Sequence, residues 1–142
     1  MSPGQTSDSL GWRGARAPTL DEFEAMAYAA YRRLPDQFRA LCEDLIIRVA
    51  EFAPDDVLNS MGIDDEYDLL GLFQGIGLPF RSVMHSGDMP NMIWLYRRPI
   101  LDYWAAHDDT LEAIVTHVLV HEIGHHFGLS DADMARIEAS VD

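Results

Sequence analysis

The stretch that decides the fold is VLVHEIGHHFGLSD, residues 118–131. Apolar residues recur through it and through the preceding TLEAIVTH, so a long helix is predicted from about residue 110 to 127. Gly128 can adopt the left-handed conformation that ends a helix. Ser130 can cap a following helix over DADMARIEAS. The sequence therefore predicts two helices joined by a tight turn at Gly128.

The preceding residues combine helical and extended patterns. Thr19 and Glu22 form a capping-box signature at the start of a helix, and PDQFRALCED predicts a second, short one. Three segments are predicted as strands, the middle one with a bend at its glycines: LIIRVAEF (45–52), LLGLFQGIGLPF (69–80) and MIWLYRR (92–98), the last closed by Pro99. DDVLNSMGI and ILDYWAA read as short helical pieces. This order predicts an α+β fold in which helices pack on a small mixed sheet.

Length and composition favour one globular domain. The chain has 142 residues, of which 48% are apolar. We expect a disordered leader over residues 1–18 and a single domain over 19–142. No apolar run is long enough to cross a bilayer, and no signal peptide is apparent. The single cysteine, Cys42, excludes a disulfide framework and predicts a buried core residue in a cytoplasmic protein.

The charge is strongly negative. The formal net charge is −14, and all ten basic residues are arginine. This balance argues against nucleic-acid and anionic-membrane partners, because both require a positive surface. No basic residue lies between Val49 and Phe80, where seven acidic residues are found. They lack the spacing of a calcium loop, so a solvated face is predicted.

The chemistry is concentrated in the long helix. His121 and His125 are four residues apart, which places them on one helix face about 6 Å apart. Two imidazoles in this arrangement form the first half of a zinc site. Glu122 borders the same face, where it can act as general base toward a water that the metal activates.

The third zinc ligand has more than one candidate. Because Gly128 allows the chain to turn back under the metal, Asp131 can offer a carboxylate. Asp131 at a helix start is also an ordinary capping residue, and Glu138 on the last helix is an alternative ligand. His117 lies two turns, about 12 Å, from His125 and cannot share an ion with it.

The segment HEIGHHFGLSD, together with LLGLFQGI and LYRRPILDYW, resembles the small bacterial zincin-like metallopeptidase family over roughly residues 19–140. The resemblance implies a minimal zincin fold, with the active-site helix beneath a small sheet and one strand at the rim of the cleft. MIWLYRR is the expected rim strand. His121, His125 and Asp131 would be the zinc ligands and Glu122 the catalytic base. Tyr96 and Arg97 are then candidates for stabilising the transition state.

Three functional hypotheses follow. The first is a zinc-dependent peptidase that acts on a peptide or protein substrate, which an edge strand could bind by strand addition. The second is another metal-dependent hydrolase, such as an endoribonuclease, whose pattern requires a third histidine at the position of Asp131. The third is a non-catalytic domain with a structural zinc ion, which normally has four protein ligands.

Overall fold

The computed structural model describes residues 11–74 and 91–141. Its helices are α1 Leu20–Arg32, α2 Asp36–Arg39, α3 Asp55–Ser60, α4 Arg97–Ala105, α5 Leu111–His126 and α6 Asp131–Ala139, with a 3-10 turn at Glu66–Asp68. Its strands are β1 Ile46–Ala50, β2 Gly71–Gln74 and β3 Met92–Tyr96. The α+β class is therefore confirmed.

The sheet has the strand order β1-β3-β2. β1 and β3 are parallel, with Ile46 opposite Met92 and Ala50 opposite Tyr96. β2 and β3 are antiparallel, with Gly71 opposite Leu95. The sheet is thus mixed, as predicted, and β3 lies at its centre.

The central position of β3 corrects the prediction that MIWLYRR is the rim strand. A strand with neighbours on both sides has no free edge, whereas β2 pairs only with β3 among the described strands. The predicted end of β3 is also wrong. Arg97 already begins α4, and Pro99 lies in the first turn of that helix, where its missing N–H costs nothing. Residues 75–80 of the predicted second strand lie outside the described residues.

The two faces of the sheet contribute to two apolar clusters. Ile93 and Leu95 point into the main core, together with side chains of α1 and α5 such as Phe23 and Leu119. Tyr96 belongs to a smaller cluster under α3 and the 3-10 turn. The alternation along β3 follows from the two-residue period of a strand. The sheet is therefore covered on both faces, with α5 on the main-core side.

Two glycines allow α5 to pack closely against its neighbours. A methyl group on Gly71 of β2 would lie 2.7 Å from Cγ1 of Val118 on α5. A methyl group on Gly124 of α5 would lie 2.4 Å from Sδ of Met134 on α6. Both positions leave no room for a side chain. Helix α5 therefore packs closely against β2 and against α6, and this packing sets the geometry of the candidate site.

Several local predictions are confirmed. Thr19 accepts a hydrogen bond from the N–H of Glu22, and Glu22 accepts one from the N–H of Thr19, which completes the capping box of α1. Cys42 is buried in the main core. The acidic residues between positions 51 and 68 are exposed, as expected of a solvated face: Glu51, Asp55, Asp56, Asp64, Asp65, Glu66 and Asp68.

No helix among residues 11–74 and 91–141 has both the length and the apolar character needed to cross a membrane.

Candidate metal centre

Helix α5 carries three histidines on one face. Thr110 caps its start by accepting a hydrogen bond from the N–H of Ala113, and Gly128 follows its end with a φ of 76°. Because the histidines are spaced by four residues, their side chains follow one another along the helix: His117, His121 and His125. The opposite faces of α5 are buried in the core, which fixes the orientation of this row.

The ring spacing of His121 and His125 is compatible with a shared metal ion. Their ring centroids are 5.6 Å apart, and the ring planes are nearly perpendicular, at 80°. Two imidazoles bound to one tetrahedral zinc ion have centroids roughly 5 Å apart, given Zn–N bonds of about 2 Å. His125 is exposed and His121 partly buried, so the pair is accessible from solvent. The donor set and its spacing fit a zinc ion.

The side chain of Glu122 extends from α5 toward strand β2. Burial raises the pKa of its carboxyl group above the usual value, while the charge of His125 and the backbone N–H of Phe73 on β2 lower it. The strand register explains the contact with Phe73. Tyr96 donates to the carbonyl of Leu70, so the N–H groups of Leu72 and Gln74 face β3, and that of Phe73 faces outward. Burial thus makes Glu122 a stronger base than a solvated glutamate.

The turn after α5 brings α6 back along it. Leu129 donates to the carbonyl of Gly124 at 2.8 Å, and the Ser130 hydroxyl accepts from the N–H of Asp133. Met134 is fully buried against Gly124. One helical turn further on, the same side of α6 carries Glu138. The helix pair therefore places Glu138 opposite the first two histidines of the row.

Glu138 contacts both of these histidines. Its carboxylate oxygens lie 2.9 Å from Nδ1 of His117 and 3.0 Å from Nε2 of His121. The rings of His117 and His121 are 3.9 Å apart, centroid to centroid. Among the described residues, these three form the group of ligand-type side chains whose donor atoms all lie within 4.8 Å of one another.

Asp131 occupies a different position. It is the first residue of α6, it is exposed, and Ser130 rather than Asp131 caps the helix. The capping role considered for Asp131 is therefore already taken. His121, His125 and Asp131 do not form a group within 4.8 Å among the described residues. Glu138, named from sequence only as an alternative ligand, is the carboxylate in contact with His121.

Of the two residues considered for transition-state stabilisation, Tyr96 is buried close enough to Glu122 to feel its charge, and only Arg97 is engaged elsewhere. Tyr96 is 2% exposed, and burial raises the pKa of its hydroxyl group, as does the charge of Glu122. Arg97 donates to the carbonyl of Pro18 and lies 3.0 Å from the Glu51 carboxylate. Arg97 thus anchors the segment before α1 to the end of β1.

The sequence did not reveal two features of the site. The first is the Phe73 N–H, because a backbone group has no residue signature and its direction depends on strand register. The second is the contact of Glu138 with His117. The four-residue spacing of His117 and His121 was visible, but the facing carboxylate requires knowledge of how α6 packs.

A family model described as zincin-like metallopeptidase matches residues 42–141. The match includes the whole three-stranded sheet, α5 with its histidine row, and α6. No curated protein matches the chain. Because the matched residues make up most of the chain and contain the site described above, the chain belongs to the zincin-like metallopeptidase family.

Proposed function

We propose that the protein is a zinc-dependent peptidase whose catalytic base is Glu122. The observation that supports this most directly is the arrangement on α5. His121 and His125 converge at one helix face, and Glu122, half-buried, borders that face next to the edge strand β2. A general base must lie within reach of the attacking water and beside the metal, and the position of Glu122 next to His121 on this face supports that role.

In this proposal His121 and His125 hold the ion, with Asp131 as the third ligand. Zinc, when bound, would acidify a water molecule and polarise a peptide carbonyl. Glu122 accepts the proton of the attacking water and then delivers it to the leaving amine. The Phe73 N–H orients the Glu122 carboxylate, since a hydrogen bond to one oxygen restricts rotation of the group.

The substrate proposed is an extended peptide. β2 has one neighbour among the described strands, and the backbone groups of Gly71 and the carbonyl of Phe73 face its other edge, while the Phe73 N–H is taken by Glu122. An extended segment can add to such an edge through main-chain hydrogen bonds. This edge adjoins Glu122, so a peptide bound there would pass close to the histidine row.

The first experiment measures zinc and cleavage in matched variants. We expect about one zinc ion per chain, bound much more weakly in His121→Ala. Glu122→Gln should retain the ion but lose cleavage of a peptide library by roughly 100-fold to 10,000-fold, the usual contribution of a general base. Glu112→Gln, on the first turn of the same helix, is the control and should stay active. Unreduced cleavage by Glu122→Gln contradicts the proposal, and RNA tested in parallel reports on a nuclease activity.

A further inference from the structure

The histidine row, together with Asp131 and Glu138 of α6, provides more ligands than one zinc ion requires. His121, in the middle of the row, has a histidine one turn away on each side. His125 faces it at 5.6 Å and His117 at 3.9 Å, measured between ring centroids. The imidazole of His121 can therefore share a metal ion with either His117 or His125.

The second arrangement is already assembled around Glu138. One oxygen of its carboxylate is 2.9 Å from Nδ1 of His117, and the other is 3.0 Å from Nε2 of His121. Glu138 is partly buried, with 27% of its side chain exposed, and its position is set by the packing of Met134 against Gly124. The carboxylate is therefore held in place rather than free on the surface.

A cavity of about 400 Å³ adjoins this group. His117 and Glu138 form part of its wall, together with Tyr103 and Asp109. An ion held at the mouth of such a cavity can keep water molecules on the coordination positions that the protein leaves open. Two imidazoles and one carboxylate are a donor set that binds divalent zinc.

We propose that His117, His121 and Glu138 form a second zinc site, which competes with the site of His121 and His125 for the imidazole of His121. A neutral imidazole has one nitrogen lone pair available, so His121 binds one ion at a time. The two sites share His121 and differ in whether its partner lies one helical turn before it, at His117, or one turn after it, at His125. The chain then holds a single zinc ion in one of two positions.

The consequence for activity rests on the proposed function. Zinc bound by His117 and Glu138 occupies His121 and leaves His125 without its partner beside Glu122. Zinc bound at the site of His117, His121 and Glu138 therefore inhibits the proposed peptidase activity. Along the helix, Glu122 lies between His121 and His125, whereas the site of His117 and His121 precedes it and lies toward Tyr103 in the cavity wall.

One of the two imidazole rings, of His117 or His121, must move before both can bind the same zinc ion. At 3.9 Å, the rings of His117 and His121 are about 1 Å closer than two imidazoles on one tetrahedral ion. His117 is the exposed member of the pair, with 56% of its side chain accessible. Its ring can turn outward without disturbing the core, whereas the backbone on which it sits is held by buried neighbours on both sides.

The test uses the His125→Ala chain, in which only the second site remains. Zinc affinity is measured by competition with a chromophoric chelator. Adding His117→Ala should weaken zinc binding by more than about 100-fold, because a direct ligand contributes more than the 10-fold to 100-fold of an outer-shell partner. Adding His107→Ala instead removes an exposed histidine stacked on Tyr103 and should leave the affinity unchanged. A loss of 100-fold or less on adding His117→Ala overturns the proposal.

A second measurement does not depend on the size of that loss. In the His117→Cys/His125→Ala chain, bound cobalt(II) should show a thiolate charge-transfer band that the His125→Ala chain lacks, since Cys42 is buried in both. Absence of the band with cobalt bound overturns the proposal, as does binding of two zinc ions by the wild-type chain. The zinc affinity, the cobalt(II) spectrum and the number of bound zinc ions are all measured without an activity assay. A second site that is found in a chain without peptidase activity would refute the proposed function alone.

Discussion

At the residue scale, the site depends on which atoms of His121 and Glu122 are already engaged. Nε2 of His121 faces the Glu138 carboxylate, and the carboxylate of Glu122 is contacted by the Phe73 N–H. Neither contact involves Asp131, which is exposed at the start of α6. The identity of the third zinc ligand therefore depends on whether the Asp131 side chain turns toward the metal or Glu138 takes its place.

The third ligand can be identified in the His117→Ala chain, which retains the site of His121 and His125. We expect Asp131→Asn to weaken zinc binding by more than about 100-fold, since a neutral amide is a poor zinc ligand. Glu138→Gln in the same chain should change the affinity by less than about 10-fold. The measurement is again competition with a chelator. The opposite order of effects would assign the third ligand to Glu138.

At the scale of the elements, the site is made by three segments packed at close range. β2 approaches α5 through Gly71, and α6 approaches it through Gly124. The first contact places the Phe73 N–H at Glu122, and the second places Glu138 at His121. The spacing between α5 and its two neighbours therefore controls both groups that touch the site.

Gly71→Ala is expected to destabilise the fold. Its methyl group would lie 2.7 Å from Cγ1 of Val118 and 3.0 Å from the carbonyl oxygen of Trp94. A backbone oxygen and a stiff β-branched side chain yield little, so overpacking should lower the free energy of unfolding by about 1–3 kcal/mol. Urea unfolding measures the loss.

Gly14→Ala is the matched control, because the added methyl group meets nothing within 4 Å. The double variant Gly71→Ala/Val118→Ala removes one of the two clashes. It should be less unstable than the sum of the two single changes predicts. Equal unfolding midpoints for Gly71→Ala and the wild-type chain would show that β2 is free to move away from α5.

At the scale of the whole molecule, a strongly acidic surface surrounds a core that contains few ionisable groups. Cys42 is 1% exposed, and burial raises the pKa of its thiol. Tyr31, whose hydroxyl lies 3.4 Å from the Cys42 sulfur, also has a raised pKa because of burial. Both groups are neutral in the fold, and both ionise at lower pH once the chain unfolds. Alkaline conditions therefore favour the unfolded chain.

The free energy of unfolding should decrease at alkaline pH because of the buried Cys42 thiol. Stability from the buried thiol is complete below the pKa of the unfolded cysteine, about 8.5, and is lost as the pH rises above it. The loss contributed by Cys42 approaches about 1.4 kcal/mol per pH unit until the folded thiol itself ionises. Urea unfolding between pH 7 and pH 10 should show a steeper decline for the wild-type chain than for Cys42→Ala. Parallel pH profiles would mean that the thiol already ionises in the folded protein.

Local signals in the sequence predicted most of the elements and several of their ends. Thr19 and Glu22 predicted the capping box, Ser130 the start of α6, and Gly128 the turn between α5 and α6. These features depend on hydrogen bonds and backbone angles within a few residues. Several predicted ends were wrong: the first strand ends at Ala50 rather than at 52, α2 ends at Arg39 rather than at 44, and β3 ends at Tyr96, since Pro99 is accepted inside the first turn of α4.

The sequence by itself determined the α+β class, the helix that bears the histidines, and the placement of His121, Glu122 and His125 on one face of that helix. Helical periodicity is local, so a single segment contains all of that information. The tertiary structure alone decided that β3 is central, that Phe73 faces Glu122, and that Glu138 faces His117 and His121. These contacts join residues far apart in the chain, and they depend on the register of β2 and on the close packing at Gly71 and Gly124.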